Sequence, residues 1–588
     1  MDASRWYPVS EESTSFLAFT QTAEQVGATT KRLEKAAALA AYFSTLDDDD
    51  LQHAARYFAG YLFPMRDQRT TSVGGSALFA AIEAVSSMPQ PEMGARLVRL
   101  GDIGDLTFEA FSESAQASIT PTLTLAGVAA SMDALAALSG SKKKRDFTVE
   151  LLRPATPLEA KYLVKMLSGD LRIGLLEGAV EDAVGRWAGV PVSQVQWANM
   201  LLGDIGETAV RARHGTLGEA RMRLFHPLKF MLATPAADLA DVKRQMPEGF
   251  VVEDKFDGIR AQAHVGPILD DGEPPHGTAV GSRRVALFSR TLDEITESFP
   301  DLLEPLAAVL EPDHRPEAGL IFDGEIVAAT DERILPFQDL QQRLGRKAPN
   351  SELRARVPVV FVAYDILYGD GRILIDEPYD TRRALLERYI STPSDDAGTV
   401  RVSTARRHTE VEPLDEEFVD SRGRGNEGLM VKDPRSTYKP GRRGREWLKI
   451  KRALATLDVV VTSVEVGNGG RRHLLSDYTF AVRASVDDPT LLNVGRAYSG
   501  LTDAELAEMS EWFRAHTLQE FAHGKVRVVD PRIVIEVTFD RVQASARHKS
   551  GFALRFPRIV RLRPDKAPAD IDTLDTVRRL ADGTVAEA

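Results

Sequence analysis

Cysteine does not occur among the 588 residues. Its absence removes disulfides, cysteine-ligated zinc, iron–sulfur clusters and a cysteine nucleophile together, and it fits a reducing compartment. No apolar run is long and clean enough to span a bilayer. The most apolar stretch, 123–138, is rich in Ala, carries Asp133 and reads as a helix of a soluble domain, not a membrane span. The first residues, MDASRWYPVSEEST, lack the basic and apolar regions of a secretory signal. Positive charge is in deficit: 73 Lys and Arg against 86 Asp and Glu, net −13. That argues against indiscriminate binding of polyanions. Local grouping matters more, because phosphate contacts need clustered cations. Two clusters are present, SGSKKKRDF at 139–147 and KPGRRGREWLKIKR at 439–452. Either alone is an ordinary solvated face.

Common catalytic signatures are missing as well. No G-x-x-x-x-G-K-[ST], H-E-x-x-H or G-x-S-x-G occurs, so P-loop, zincin and α/β-hydrolase chemistry is unsupported. Gly423-x-Gly425-x-x-Gly428 spells a dinucleotide fingerprint but precedes a strand-like run (GLMVK) instead of opening a helix. It reads as a chance match.

What is present divides the chain in three. The length implies three or four domains. Residues 1–225 carry apolar residues at helical spacing, as in LQHAARYFAGYLF and PLEAKYLVKMLSGDLRIGLLEGAVEDAVGRWAG, and predict an all-α domain. From 226 to 452, β-rich runs alternate with helical ones and predict an α+β domain. Residues 453–588 give five closely spaced strands with one helix, TDAELAEMSEWFRAHT, which suits a small barrel of the OB type. Two insertions, 266–282 and 391–399, have the composition of mobile loops.

The middle region holds the chemistry. In VVEDKFDGIR, Lys255 stands where a strand runs into an Asp257-Gly258 turn. Other charges stand on strand-like runs: Arg290 in LFSR, Glu325 in FDGEIVA, Glu427 and Lys432 in EGLMVK, Lys449 and Lys451 in WLKIK. Each alone is more often a solvated or paired charge. A lysine amine becomes a nucleophile when burial or neighbouring cations lower its pKa. Arg260, Arg290, Lys449 and Lys451 are candidate cations. Glu325 and Glu427 are hard oxygen ligands suited to Mg²⁺ with a polyphosphate. The combination points to phosphoryl chemistry.

EDKFDGIRAQAH, LFSR, IFDGEIVA, FVAYDILY, EGLMVKD, WLKIK and SGFALRFPRIVRLRPDK resemble the ordered motifs of the covalent nucleotidyltransferases. More narrowly they resemble the ATP-dependent DNA ligases, from about Leu151 to Lys566. LRIGLLEGAVEDAVG is similar to the helical DNA-binding domain of the larger ligases. The resemblance implies an ATP-grasp-like nucleotidyltransferase core between the helical domain and an OB-fold domain. It implies that Lys255 attacks the α-phosphate of ATP and forms lysyl-AMP. Glu253 would accept from the adenine amino group, and Tyr364 would stack on the base. Arg260 would hold the ribose or a phosphate, and Arg290 would place the AMP or the 5′-phosphate. Glu325 and Glu427 would bind ribose and metal, Mg²⁺ or Mn²⁺. Lys432 belongs to the nucleotide site, Lys449 and Lys451 would contact the α-phosphate, and Arg555, Arg558, Asp565 and Lys566 would orient pyrophosphate. Lys142, Lys143, Lys144 and Arg145 are candidates for phosphate contacts with nicked duplex DNA.

One departure stands at 229–233: the family's approach to this domain reads K-P-M-L-A, and here it is K-F-M-L-A. An RNA ligase or a capping guanylyltransferase is the nearest rival, and a non-catalytic nucleic-acid-binding protein is the rival of another class. An NAD-dependent ligase would normally carry a Cys-ligated zinc. A monomer in the cytoplasm or nucleoid is expected, with no membrane partner and no recognisable sliding-clamp peptide.

Overall fold

The computed structural model describes residues 15–268, 276–310, 319–330, 334–390, 398–450, 456–467, 471–522, 524–539 and 541–581. The helical expectation for the first segment holds. Helices α1 (Phe16–Gly27), α2 (Arg32–Phe43), α3 (Asp48–Phe58), α4 (Gly75–Ser86), α5 (Gln90–Leu100) and α6 (Ile103–Ser112) come first. Next are α7 (Leu125–Ala137), α8 (Ser141–Leu152), α9 (Pro157–Leu167), α10 (Glu177–Ala188), α11 (Val192–Leu202) and α12 (Ile205–His214). Their starts are written in the sequence. Asp47 and Asp204 cap α3 and α12, and Thr156 forms a capping box with Glu159 on α9. Each cap satisfies amide N–H groups that the first helical turn leaves without partners.

Chain contacts divide the helices between two units. In one, Lys31–Thr70 and Leu175–Arg452 fold together, with α2 against α10 and α3 against α12. In the other, Ser10–Thr30, Thr71–Gly174 and the chain from Ala453 fold together, with α6 against α9 and α4 against α8. This contact division runs through the helical segment and not at residue 225.

The first unit contains two sheets. One has the order β1 (Leu232–Pro235), β12 (Arg443–Ile450), β11 (Gly428–Lys432), β2 (Phe250–Lys255), β10 (Ala405–His408). The other has the order β4 (Thr278–Val280), β5 (Arg283–Ser289), β3 (Ile259–Pro267), β6 (Leu320–Ala328), β7 (Val359–Gly369), β8 (Arg372–Ile373), with β9 (Val400–Val402) also on β7. All pairings are antiparallel except β1 with β12 and β7 with β9. Each sheet buries its outer face in a separate core. Phe250, Val252, Leu429, Val431 and Leu448 pack with Val242 of helix Leu239–Gln245 and Phe418 of helix Leu414–Gly423. Ala261, Ala263, Phe322, Ile326 and Phe361 pack with Leu386 of helix Tyr379–Tyr389. Strand residues alternate between faces, so the opposite faces carry the polar set and look into a shared cleft.

The 266–282 insertion is partly sheet. β3 extends to Pro267, and β4 pairs with β5. Its middle lies outside the described residues, as does most of 391–399. The C-terminal region is strand-rich as expected but holds more than five strands and one helix. Its strands are β13 (Thr456–Val466), β14 (Leu475–Arg483), β15 (Leu491–Ala497), β16 (Thr517–Phe521) and β17 (Val526–Val529). They continue with β18 (Val534–Thr538), β19 (Arg541–Ala544), β20 (Phe552–Arg555) and β21 (Arg558–Leu562). A second helix, Leu574–Ala581, follows Asp503–Ala515. Short strands such as β19 and β20 carry too few alternations to be told from loops in a sequence. β13 is central, with β14 on one side and β17 and β18 on the other. Among the described residues no ladder joins β15 to β21.

No helix among the described residues is long and apolar enough to cross a membrane.

Candidate active site

The cleft between the two sheets is lined by Leu232, Glu253, Lys255, Arg260, Arg290, Glu325, Tyr364, Met430, Lys432, Trp447 and Lys449, among others. Register explains why residues so distant in sequence meet. Lys255 pairs with Gly428 and Glu253 with Met430; Lys432 pairs with Trp447 and Met430 with Lys449. Counting in twos along these strands puts Glu253, Lys255, Met430, Lys432, Trp447 and Lys449 on one face. On the other sheet Arg260 pairs with Glu325.

Lys255 ends β2, and Phe256–Gly258 turn the chain into β3. A Cβ on Gly258 would lie 2.4 Å from the Ile326 carbonyl oxygen, so only glycine lets the turn pass so close to β6. The Glu427 amide donates to the Lys255 carbonyl at 2.7 Å, and the Glu427 carboxylate is ion-paired with Lys255 Nζ. The nearest partner of the lysine is therefore a carboxylate and not the expected ring of cations.

Arg260 is also committed. Its Nε and Nη2 donate to Asp323 at 3.1 and 2.7 Å, and Nη1 donates to the Met231 carbonyl at 2.7 Å. Its guanidinium lies 4.7 Å from the Phe230 ring centre. The departure at 230 thus replaces a proline with an aromatic face beneath the arginine, a favourable cation–π contact. Asp323 is fully buried and also accepts from Tyr438 Oη at 2.7 Å. Burial and the Asp323 charge act in opposite directions on Arg260, and the net effect raises its pKa well above the ordinary value.

Glu325 is different. Its carboxyl takes no hydrogen bond among the described residues, and burial pushes its pKa up to about 8. Glu427 and Asp323 push the same way, while Lys255 and Arg260 oppose. Folding therefore retains a proton on Glu325 that the unfolded chain releases near pH 4.5. Where the native state binds more protons, stability falls with rising pH. In metal-free buffer this contribution declines from about pH 4.5 to about 8. Thermal melts across that window should show Glu325→Gln with a flatter decline than the parent, and identical slopes would refute the assignment.

Lys432 is fully buried, and its ammonium lies 4.8, 4.9 and 4.5 Å from the rings of Tyr364, Tyr379 and Trp447. Burial lowers its pKa against the opposing pull of Glu253, its ion-pair partner at 2.9 Å. Arg290 follows β5, exposed at the rim, with no ion pair among the described residues. Lys451 lies outside the described residues.

The remaining sequence candidates belong to the second unit. Arg555 ends β20 and Arg558 begins β21. Lys566 donates to Asp458 at 2.6 Å. Arg563 pairs with Asp565 at 2.7 Å and, chiefly through that hydrogen bond, holds the Asp565 carboxyl down at about 2. On α8, Lys142 and Lys143 are exposed, Lys144 donates to the Thr71 carbonyl at 2.7 Å, and Arg145 pairs with Asp146 at 2.7 Å. Sequence reasoning passed over Asp323, Tyr379, Arg383, Ser403, Tyr438 and Trp447. Asp323 sits inside the IFDGEIVA run, but nothing local marks it as the partner of an arginine 63 positions away.

A strand-end lysine among carboxylates, cations and aromatic rings, in a cleft between two mainly antiparallel sheets, is the arrangement expected of a nucleotidyltransferase core. The family model described as "ATP dependent DNA ligase domain" matches residues 230–451. "DNA ligase N terminus" matches 15–185 and "ATP dependent DNA ligase C terminal region" matches 471–566. A "Probable DNA ligase" of Koribacter versatilis is 45% identical, the match covering 95% of each chain. A "DNA ligase" of Archaeoglobus fulgidus is 33% identical over 96% of this chain and 97% of its own. The solved structure of Pmar-Lig_PreS3 shares the fold, with a TM-score of 0.61 over 93% of this chain and 99% of that chain, at 17% identity. The chain belongs to the ATP-dependent DNA ligase family.

Proposed function

We propose that this chain seals nicks in duplex DNA at the expense of ATP, with Lys255 as the covalent nucleophile. The observation that carries the reading is the fixed approach of Lys255 and Glu427, joined through backbone and side chain at the mouth of the cleft. Lys255 Nζ attacks the α-phosphorus; an N–P bond forms and the bond to the pyrophosphate oxygen breaks. Glu427, already paired with the ammonium, is placed to take its proton. The 5′-phosphate of the nick then displaces Lys255 from AMP. Finally the 3′-hydroxyl attacks that phosphate, the phosphodiester forms and AMP leaves.

Arg260 is fixed in the cleft to hold the sugar or a phosphate, Arg290 is free at the rim for a phosphate, and Lys449 and Lys451 are assigned to the α-phosphate. Tyr364 packs on the base. Glu325 and Glu427 suit Mg²⁺, or Mn²⁺ in its place, because Glu325 is a half-buried carboxyl in the cleft lacking the partner that a cation would supply. When bound, the cation neutralises phosphate charge. The division 1–225, 226–452 and 453–588 is retained as a helical DNA-binding domain, the adenylation domain and an OB-fold domain. Lys142 and Lys143 are the better-placed phosphate contacts on α8, while Lys144 and Arg145 would first have to leave their present partners. Arg555, Arg558 and Lys566 are assigned to pyrophosphate orientation. The chain would act as a monomer in the cytoplasm or nucleoid.

The test is joining of a singly nicked duplex with ATP and Mg²⁺, with NAD⁺, GTP and nicked RNA as parallel arms. ATP-dependent joining of DNA is expected. Joining only with NAD⁺, only with GTP, or only of RNA would overturn the reading.

A further inference from the structure

Glu253 is 1% exposed, and its carboxylate is more heavily bonded than an isolated base-reading group requires. Oε1 accepts from Tyr379 Oη and from Lys432 Nζ at 2.9 Å. Oε2 accepts from Ser403 Oγ at 3.1 Å and from Lys432 Nζ at 3.0 Å. Ser403 Oγ in turn accepts from Arg383 Nη1 at 2.9 Å, so its own proton is committed to Glu253. Arg383 also binds the Ser403 carbonyl and Glu387, and stands 3.8 Å from Glu253. Tyr379 is tied down by its amide, which donates to the Ser436 carbonyl at 2.8 Å. Ser403 is tied down by its amide, which donates to the Ala363 carbonyl at 2.8 Å.

Only Glu253 and Lys432 of this group line the cleft that holds Lys255. Tyr379, Ser403 and Arg383 do not reach it and can act on a nucleotide only through the other two. A carboxylate has about four lone-pair sites. Tyr379 and Ser403 take one on each oxygen, and Lys432 holds the other two from the cleft side, so an incoming base amino group takes the place of one of the lysine's two hydrogen bonds. Both donors from behind the cleft fix the plane of the carboxylate. A fixed anion accepts from the 6-amino group of adenine and repels the 6-carbonyl of guanine, the one difference between the two bases at that position.

We propose that Tyr379, Ser403 and Arg383 are positioning residues that lock the Glu253 carboxylate and thereby set the preference for ATP over GTP. This rests on the reading of Glu253 as the group that meets the base. Loosening the clamp lets the carboxylate turn toward Lys432, which weakens acceptance of the amino group and relieves repulsion of the carbonyl. The loss therefore appears in discrimination and in KM for ATP, while kcat at saturating ATP changes little.

The experiment measures self-adenylylation and self-guanylylation kinetics of the full chain with α-labelled ATP and GTP. Ser403→Ala and Tyr379→Phe are compared with the parent, and Ser403→Thr restores the hydroxyl. The (kcat/KM) ratio of ATP to GTP is expected to fall about tenfold in Ser403→Ala and Tyr379→Phe, the worth of one hydrogen bond to a charged group. Ser403→Thr should recover most of it. Melting curves and the fraction of chains that accept label separate misfolding from altered recognition. Equal losses with ATP and GTP, or an unchanged ratio in correctly folded variants, would overturn the clamp. A parent chain that takes no label from ATP would instead overturn the ligase reading itself, so the two failures are distinguishable.

Discussion

Replacing Lys255 with alanine is expected to lower self-adenylylation by about 10⁴-fold or more, the order seen when a covalent nucleophile is removed. Arg260 and Lys432 are not placed to substitute. Arg260 is held by Asp323 and Met231, and Lys432 is fully buried against Glu253. The same variant should still join a nick whose 5′-phosphate already carries AMP, because that step breaks no bond to Lys255. The fold should survive: the lost ion pair is part-buried, with the Lys255 and Glu427 side chains 22% and 16% exposed, so its cost lies between the surface and the fully buried cases. Filter binding of label and gel assay of the pre-adenylated nick measure the two halves separately. Loss of both in a folded protein would assign Lys255 a general binding role. Retention of both would remove it from the mechanism.

Asp323→Ala carries the second large effect. Asp323 is the buried anion on which Arg260 and Tyr438 converge. Its removal leaves a largely buried guanidinium with one carbonyl and aromatic faces for company. Breaking such a pair from one side costs about 3–5 kcal/mol. Denaturant melts followed by tryptophan fluorescence should show that loss. Adenylylation should fall with it, since Arg260 is no longer aimed. Replacing both partners with apolar residues, as in Asp323→Leu with Arg260→Met, should return much of the stability but not the activity. A cost below about 1 kcal/mol for Asp323→Ala would mean that Arg260 relaxes to water and that the pair does not organise the site.

What was legible in the sequence follows from spacing. Glu253 and Lys255, Met430 and Lys432, and Trp447 and Lys449 each stand two apart on a strand. Alternation alone therefore puts each pair on one face. The strand-turn-strand around Lys255 was equally plain, because Asp257-Gly258 interrupts two β-rich runs. Less legible was everything that depends on register between distant strands. Nothing local to Ala405–His408 announces a strand that completes the sheet beside β2. Tyr379 and Ser403 look like a helix start and a loop residue until they converge on Glu253. Charge runs misled in the opposite direction. Lys144 and Arg145 look like part of one cationic patch, yet both already bond within the fold. One long helical run was broken too: PLEAKYLVKMLSGDLRIGLLEGAVEDAVGRWAG keeps apolar spacing around Asp170, but the chain leaves the helix there.

The central claim is that Lys255 carries AMP. The direct measurement is mass spectrometry of peptides from the full chain after incubation with ATP and Mg²⁺, before and after addition of nicked DNA. The account predicts an adenylate on Lys255 alone, lost when nicked DNA is joined. An adenylate on another residue, or joining with none formed, would contradict it.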